Sequence, residues 1–173
     1  MARSGPRLTL VEVALIASLL AVVLAIFVPT FARRVRTNKL DEASEMLERM
    51  SRGARAYYEA NQRDCLPIPA GPTPEAPSVD AVPIDFASGE LRDFETWSAL
   101  GLQPTRPLRF SYEYAPERSG CGLSSIDEPF EVVFRARGDL DGDAVLSTFE
   151  RRATIDRRGF QESEALLVHQ RTE

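Results

Sequence analysis

A chain of 173 residues with a formal net charge of -5 has room for one modest domain plus an extension. The charge is unevenly spread. Residues 1–60 hold nine Lys/Arg against six Asp/Glu, whereas residues 61–173 hold twelve against twenty, too acidic for a surface that must meet nucleic-acid phosphates.

Residues 8–32 make an apolar run of 25 with one ionisable side chain, Glu12, and within 13–28 (VALIASLLAVVLAIFV) only Ser18 is polar. As a helix this run is long enough to cross the hydrocarbon core of a bilayer. A cleaved secretory signal also begins with basic residues and an apolar stretch, but no small-x-small cleavage site follows here. The helical pattern continues through Pro29 into RRVRTNKLDEASEMLERM, so the segment is expected to be kept. A carboxylate inside an apolar helix costs about 2.5–3.5 kcal/mol on insertion scales. Glu12 therefore needs a cationic partner, or a place near the bilayer surface where water reaches it. Arg33, Arg34, Arg36 and Lys39 follow the run, against Arg3 and Arg7 before it. The positive-inside rule alone would put the remainder of the chain in the cytoplasm.

Beyond the basic cluster, Leu40, Ala43, Leu47, Met50, Ala54 and Tyr57 recur at three- and four-residue steps, the stripe of an amphipathic helix. Charged residues such as Asp41, Glu42, Glu48, Arg49, Arg52 and Arg55 fall largely off it. The stripe is too short for a free-standing coiled coil and is expected to pack on a sheet of the same chain. Residues 65–83 contain six prolines and no helical period, which reads as a loop. Residues 93–100 (DFETWSAL) read as a short helix capped by Asp93, burying Trp97 and ended by Gly101. Strands are expected over 108–114, 130–136 and 145–155, with a weaker one at 165–169, paired antiparallel across the short connection at 138–144. Cys65 and Cys121 form a disulfide if this region is exported, and are otherwise two buried thiols. A staple closing a loop of this length would contribute about 4 kcal/mol in the chain-entropy model.

LTLVEVALIASLLAVVLAIFVP resembles the N-terminal signature of type IV pilins and type II secretion pseudopilins. The resemblance implies that a leader, residues 1–7, is removed by prepilin peptidase, that Leu8 becomes a methylated N-terminus, and that Glu12 pairs with the terminal ammonium of a neighbouring subunit. Pro29 falls on the helix-interrupting proline of many pilins and is expected to kink or loosen the helix. The family leader ends in glycine, whereas Arg7 stands before Leu8 here. The order W-S-A-L-G-L, F-S-Y-E-Y, G-D-L-D-G-D, S-T-F also resembles the C-terminal half of one branch of bacterial pilins. The implied fold is α+β: a long N-terminal helix over 8–60, apolar to residue 32 and amphipathic beyond, packed on a small antiparallel sheet in a head spanning 61–173.

Asp139, Asp141 and Asp143 alternate, and Val145, Ser147 and Glu150 fall where a twelve-residue calcium loop would take further oxygens. Ala144 replaces the sharp-turn glycine, and strands rather than helices flank the segment. The competing reading is a plain hairpin turn built on Gly138, Asp139, Gly142 and Asp143.

With His169 the sole histidine, Lys39 the sole lysine, and no GxSxG, CxxC, HExxH or phosphate-binding glycine loop, an enzyme is not expected. The expected role is structural: a type IV pilus (fimbrial) or related filament subunit, major or minor. Its implied partners are other pilin subunits in a homo- or hetero-polymer, prepilin peptidase, the pilus assembly machinery and the inner membrane. It would pass from the bacterial inner membrane to the periplasm and a cell-surface filament. The alternatives are a type II secretion pseudopilin and a single-span, membrane-anchored extracytoplasmic binding module.

Overall fold

The computed structural model of the chain describes residues 9–125, 128–139, 142 and 144–169. It divides into two compact units, Met1–Lys39 and Leu40–Glu173. One helix, α1 (Leu10–Ala60), runs from the first unit into the second, and its assignment is continuous through Pro29.

In the first unit the stretch Leu10–Val28 has a mean hydropathy of 2.8 and none of it is buried. Its 19 residues rise about 28 Å, close to the ~30 Å of bilayer hydrocarbon. Ser18, the polar interruption, donates its hydroxyl to the Ala14 carbonyl at 2.8 Å, so it carries no unmet donor into an apolar surround.

The second unit is an α+β fold. The later part of α1 buries Ala43, Met46, Leu47, Met50, Ala54 and Tyr58 in one core with the sheet. The stripe thus closes on Tyr58 rather than Tyr57, four residues beyond Ala54 on the same face. Glu42 is also drawn in. Its carboxylate accepts from the Arg109 backbone N–H at 2.8 Å and faces the Arg109 guanidinium at 3.4 Å.

Seven strands follow: β1 (Cys65–Leu66), β2 (Ala70–Thr73), β3 (Ser111–Pro116), β4 (Gly120–Cys121), β5 (Phe130–Gly138), β6 (Ser147–Asp156) and β7 (Gly159–His169). They form an antiparallel five-stranded sheet, order β2-β3-β5-β6-β7, and a β1-β4 pair. In β5 burial alternates residue by residue: Phe130, Val132, Phe134 and Ala136 face the core, while Glu131, Val133, Arg135 and Arg137 face outward.

Three expectations about the strands shift here. The proline-rich stretch is not only loop, because it supplies β1 and β2. Proline lacks an N–H for a ladder, and β2, which contains Pro72, lies at the sheet edge where one side needs no donor. The strand expected at 108–114 starts at Ser111, while Leu108 makes a separate bridge to Val82. The last strand begins at Gly159, six residues ahead of the expected start, because a tight turn at Arg157–Arg158 folds it back on β6.

The short helix α2 (Phe94–Ala99) buries Trp97 and ends in a Schellman motif, with Leu102 N–H on the Trp97 carbonyl and Gly101 N–H on that of Ser98, both 2.9 Å. Asp93 occupies the N-cap position but does not cap. It adopts φ 59°, and its carboxylate accepts instead from Gly71 N–H at 2.8 Å, tying α2 to β2.

Candidate functional site

Three constellations drew notice in the sequence: the start of the apolar helix, the cysteine pair and the aspartate loop. At the first, Thr9 immediately precedes α1 and Glu12 is its third residue. The Thr9 N–H and hydroxyl donate to Glu12 Oε2 at 2.7 and 2.8 Å, and Glu12 N–H donates back to Thr9 Oγ1 at 3.3 Å. This is a reciprocal capping box, T-x-x-E, which satisfies two of the four unpaired N–H groups at a helix start. Glu12 therefore has a local partner that the sequence reading overlooked, although the spacing that reveals it is plain in TLVE. Leu8 and the residues before it lie outside the described part of the chain, as does the Pro29 side chain.

Cys65 and Cys121 are joined, with Cα atoms 4.0 Å apart and a sequence separation of 56. They sit directly opposite each other in the β1-β4 pair. Asp64 stitches the same junction. Its carboxylate accepts from the Ser124 hydroxyl at 2.6 Å, Ser124 N–H at 2.9 Å and Gly122 N–H at 3.1 Å. These bonds, the Ser124 hydroxyl first, hold its carboxyl below the ordinary carboxylate value.

In the aspartate loop, Asp139 accepts from Gly142 N–H at 2.7 Å and Ala144 N–H at 3.1 Å, closing the turn between β5 and β6. Ala144 takes φ 67°, the left-handed conformation that the glycine of a calcium loop would supply. Asp141 and Asp143 lie outside the described residues, so their place relative to Asp139 is not described. Ser147 is buried at the start of β6 and Val145 is exposed. Glu150 is committed elsewhere: Oε1 faces Arg135 Nε at 2.7 Å and Oε2 faces an Arg152 Nη at 3.2 Å. Among the described residues no three His, Cys, Asp or Glu side chains are grouped to hold a metal.

Glu150 belongs instead to a charge ladder across the outer face of the sheet. Glu113, Arg135 and Glu150 are direct cross-strand neighbours on β3, β5 and β6. Arg135 contacts Glu113 at 2.9 Å, Arg137 reaches Glu113 at 3.2 Å, and Arg152 reaches Glu131 at 3.3 Å. Signs alternate at every step, which stabilises cross-strand pairs. Burial pushes the Glu150 carboxyl up, but the bonds from Arg135 and Arg152 outweigh it and the net shift is downward. The outward-facing charges at alternate strand positions were the signal for this ladder.

No family model, no curated protein and no solved structure matches the chain.

Proposed function

We propose that this chain is a structural subunit of a type IV pilus or related filament, assembling through its N-terminal helix. One observation carries the reading: a 19-residue apolar stretch is exposed on every side and begins with a lone carboxylate. Such a surface must be covered, by lipid before assembly and by neighbouring helices within a fibre. The acidic, disulfide-stapled α+β unit suits the outside of such a fibre, where charge keeps it soluble. Major, minor and pseudopilus subunits share this architecture. The resemblance of residues 8–29 to the prepilin signature adds to this support.

The capping box favours a second reading. Because Thr9 already satisfies Glu12, no second subunit is needed to hold it. A single-span anchored extracytoplasmic binding module is then sufficient, with residues before Leu8 retained.

Two substitutions separate the readings, because glutamine serves in a capping box as glutamate does but carries no charge. If Glu12 pairs with a cation on a neighbour, Glu12→Gln and Glu12→Ala both remove the chain from sheared surface fibres. If Glu12 only caps the helix, Glu12→Gln leaves the wild-type distribution unchanged. A wild-type chain that never appears in sheared fibres overturns the filament reading.

A further inference from the structure

The end of α1 builds a recess that none of the above uses. The helix closes with a Schellman motif: Arg63 N–H donates to the Tyr58 carbonyl at 2.9 Å and Gln62 N–H to that of Glu59 at 3.3 Å. The motif normally places glycine in the left-handed position. Here Gln62 and Arg63 take it in succession, at φ 59° and 61°. Two consecutive non-glycine residues in that region cost free energy and persist only where the surroundings enforce them. The result lays the Arg63 side chain over the β6–β7 turn, with Nη1 3.7 Å from where a Cβ on Gly159 would stand.

Beneath lies a cleft of about 260 Å³. Its apolar surface is Leu123, Phe130 and Ile155, and its polar surface is Tyr58, Ser124, two arginines (Arg63 and Arg157) and one carboxylate, Asp156. Tyr58 is only 4% exposed, its ring 6.4 Å from that of Phe160. Among the described residues its hydroxyl has no hydrogen-bond partner and the Arg63 guanidinium has no ion pair. The nearby carboxylates are already used: Asp64 by Ser124 and Gly122, and Asp156 by the Arg158 N–H at 2.7 Å. Burial pushes the Tyr58 phenol up, and the Arg63 charge pulls it partly back, which sets the two groups within electrostatic reach of each other.

We propose that this cleft binds a small carboxylate on an apolar body, the carboxylate meeting Arg63 and the Tyr58 hydroxyl and the body lying on Leu123, Phe130 and Ile155. The volume is below the roughly 300–1,000 Å³ of drug-sized sites, which limits the ligand to a small aromatic or aliphatic acid. A planar guanidinium fork matches a carboxylate, and a hydroxyl without a partner in the protein gains one at the cleft. Inorganic phosphate is disfavoured, because a dianion would stand beside Asp64 and Asp156. The site belongs to the Leu40–Glu173 unit and does not depend on the chain polymerising.

The test uses the full chain in detergent micelles, with Leu and Ile methyl resonances followed by NMR during titration with sodium benzoate, benzyl alcohol and inorganic phosphate. Benzoate should shift the Leu123 and Ile155 signals saturably, while benzyl alcohol and phosphate at equal concentration and ionic strength should not. Arg63→Gln should weaken benzoate at least tenfold, Tyr58→Phe about fivefold, and Arg63→Lys by less than Arg63→Gln, each with the melting temperature checked. No saturable shift with benzoate overturns the proposal. So does phosphate binding as tightly as benzoate, or Arg63→Gln binding unchanged.

Discussion

Glu150 shows how a single carboxylate can tie two strands together on one face, pairing with Arg135 of β5 and Arg152 of its own β6. Its side chain is 8% exposed and lies between Arg135 and Arg152. Replacing it with glutamine removes the charge while keeping a similar shape. Hydrogen bonds to charged groups are worth about 1.5–3 kcal/mol, and Arg135 keeps Glu113 as a second partner. Glu150→Gln should therefore cost about 1.5 kcal/mol at neutral pH, measured by chemical denaturation. Its pH dependence follows from the downward shift. A carboxyl whose folded-state value is depressed contributes stability that is complete above its unfolded-state value, about 4.3, and is lost as the pH falls through the folded-state value. The gap between wild type and Glu150→Gln should thus shrink below about pH 4. A gap that is constant from pH 7 to pH 3 would show that the ladder carries no such linkage. At this scale the sequence was half legible. TLVE announces its capping box by spacing alone, whereas Arg135 lies on another strand, and only the β5–β6 register brings it opposite Glu150.

Among the elements, the close approach of α1 to the end of α2 gives the sharpest test. A Cβ placed on Gly53 would overlap the backbone carbonyl of Leu100, which closes α2 and cannot swing aside as a side chain can. Alanine in place of glycine inside a helix ordinarily stabilises by about 0.5–1 kcal/mol. Overpacking costs about 1–3 kcal/mol, and a rigid main-chain obstacle belongs at the upper end. The overlap should win, so Gly53→Ala lowers stability by about 1–2 kcal/mol. A rise in melting temperature would mean that the two elements do not touch as described. Gly53 illustrates what sequence cannot disclose, since within ERMSRGARAYY it reads only as a weak point in a helix. The strongly alternating β5 was legible because one face is apolar and the other mostly charged. The edge strand β2 was hidden because Pro72 and the prolines around it resemble loop, and its permissibility depends on having no neighbour on one side.

For the whole molecule, two physical signals oppose each other. Four basic residues after the apolar stretch favour a cytoplasmic head, while the Cys65–Cys121 bond favours an oxidising compartment. The covalent bond is the better witness, because cytosolic thiol buffers keep such pairs reduced, whereas charge bias is a statistical preference over short flanks. The redox state of the cysteines in cells therefore reports the topology directly. Cells quenched in acid and treated with a thiol-reactive polymer should yield chain of unshifted mass, which gains two labels only after reduction. Membrane fractionation of the same sample should place the chain with the bilayer or in sheared fibres, held there by Leu10–Val28. Two labels without reduction would place the second unit on the cytoplasmic side. The filament subunit and the extracytoplasmic module would then fall together, because both need the acidic unit outside.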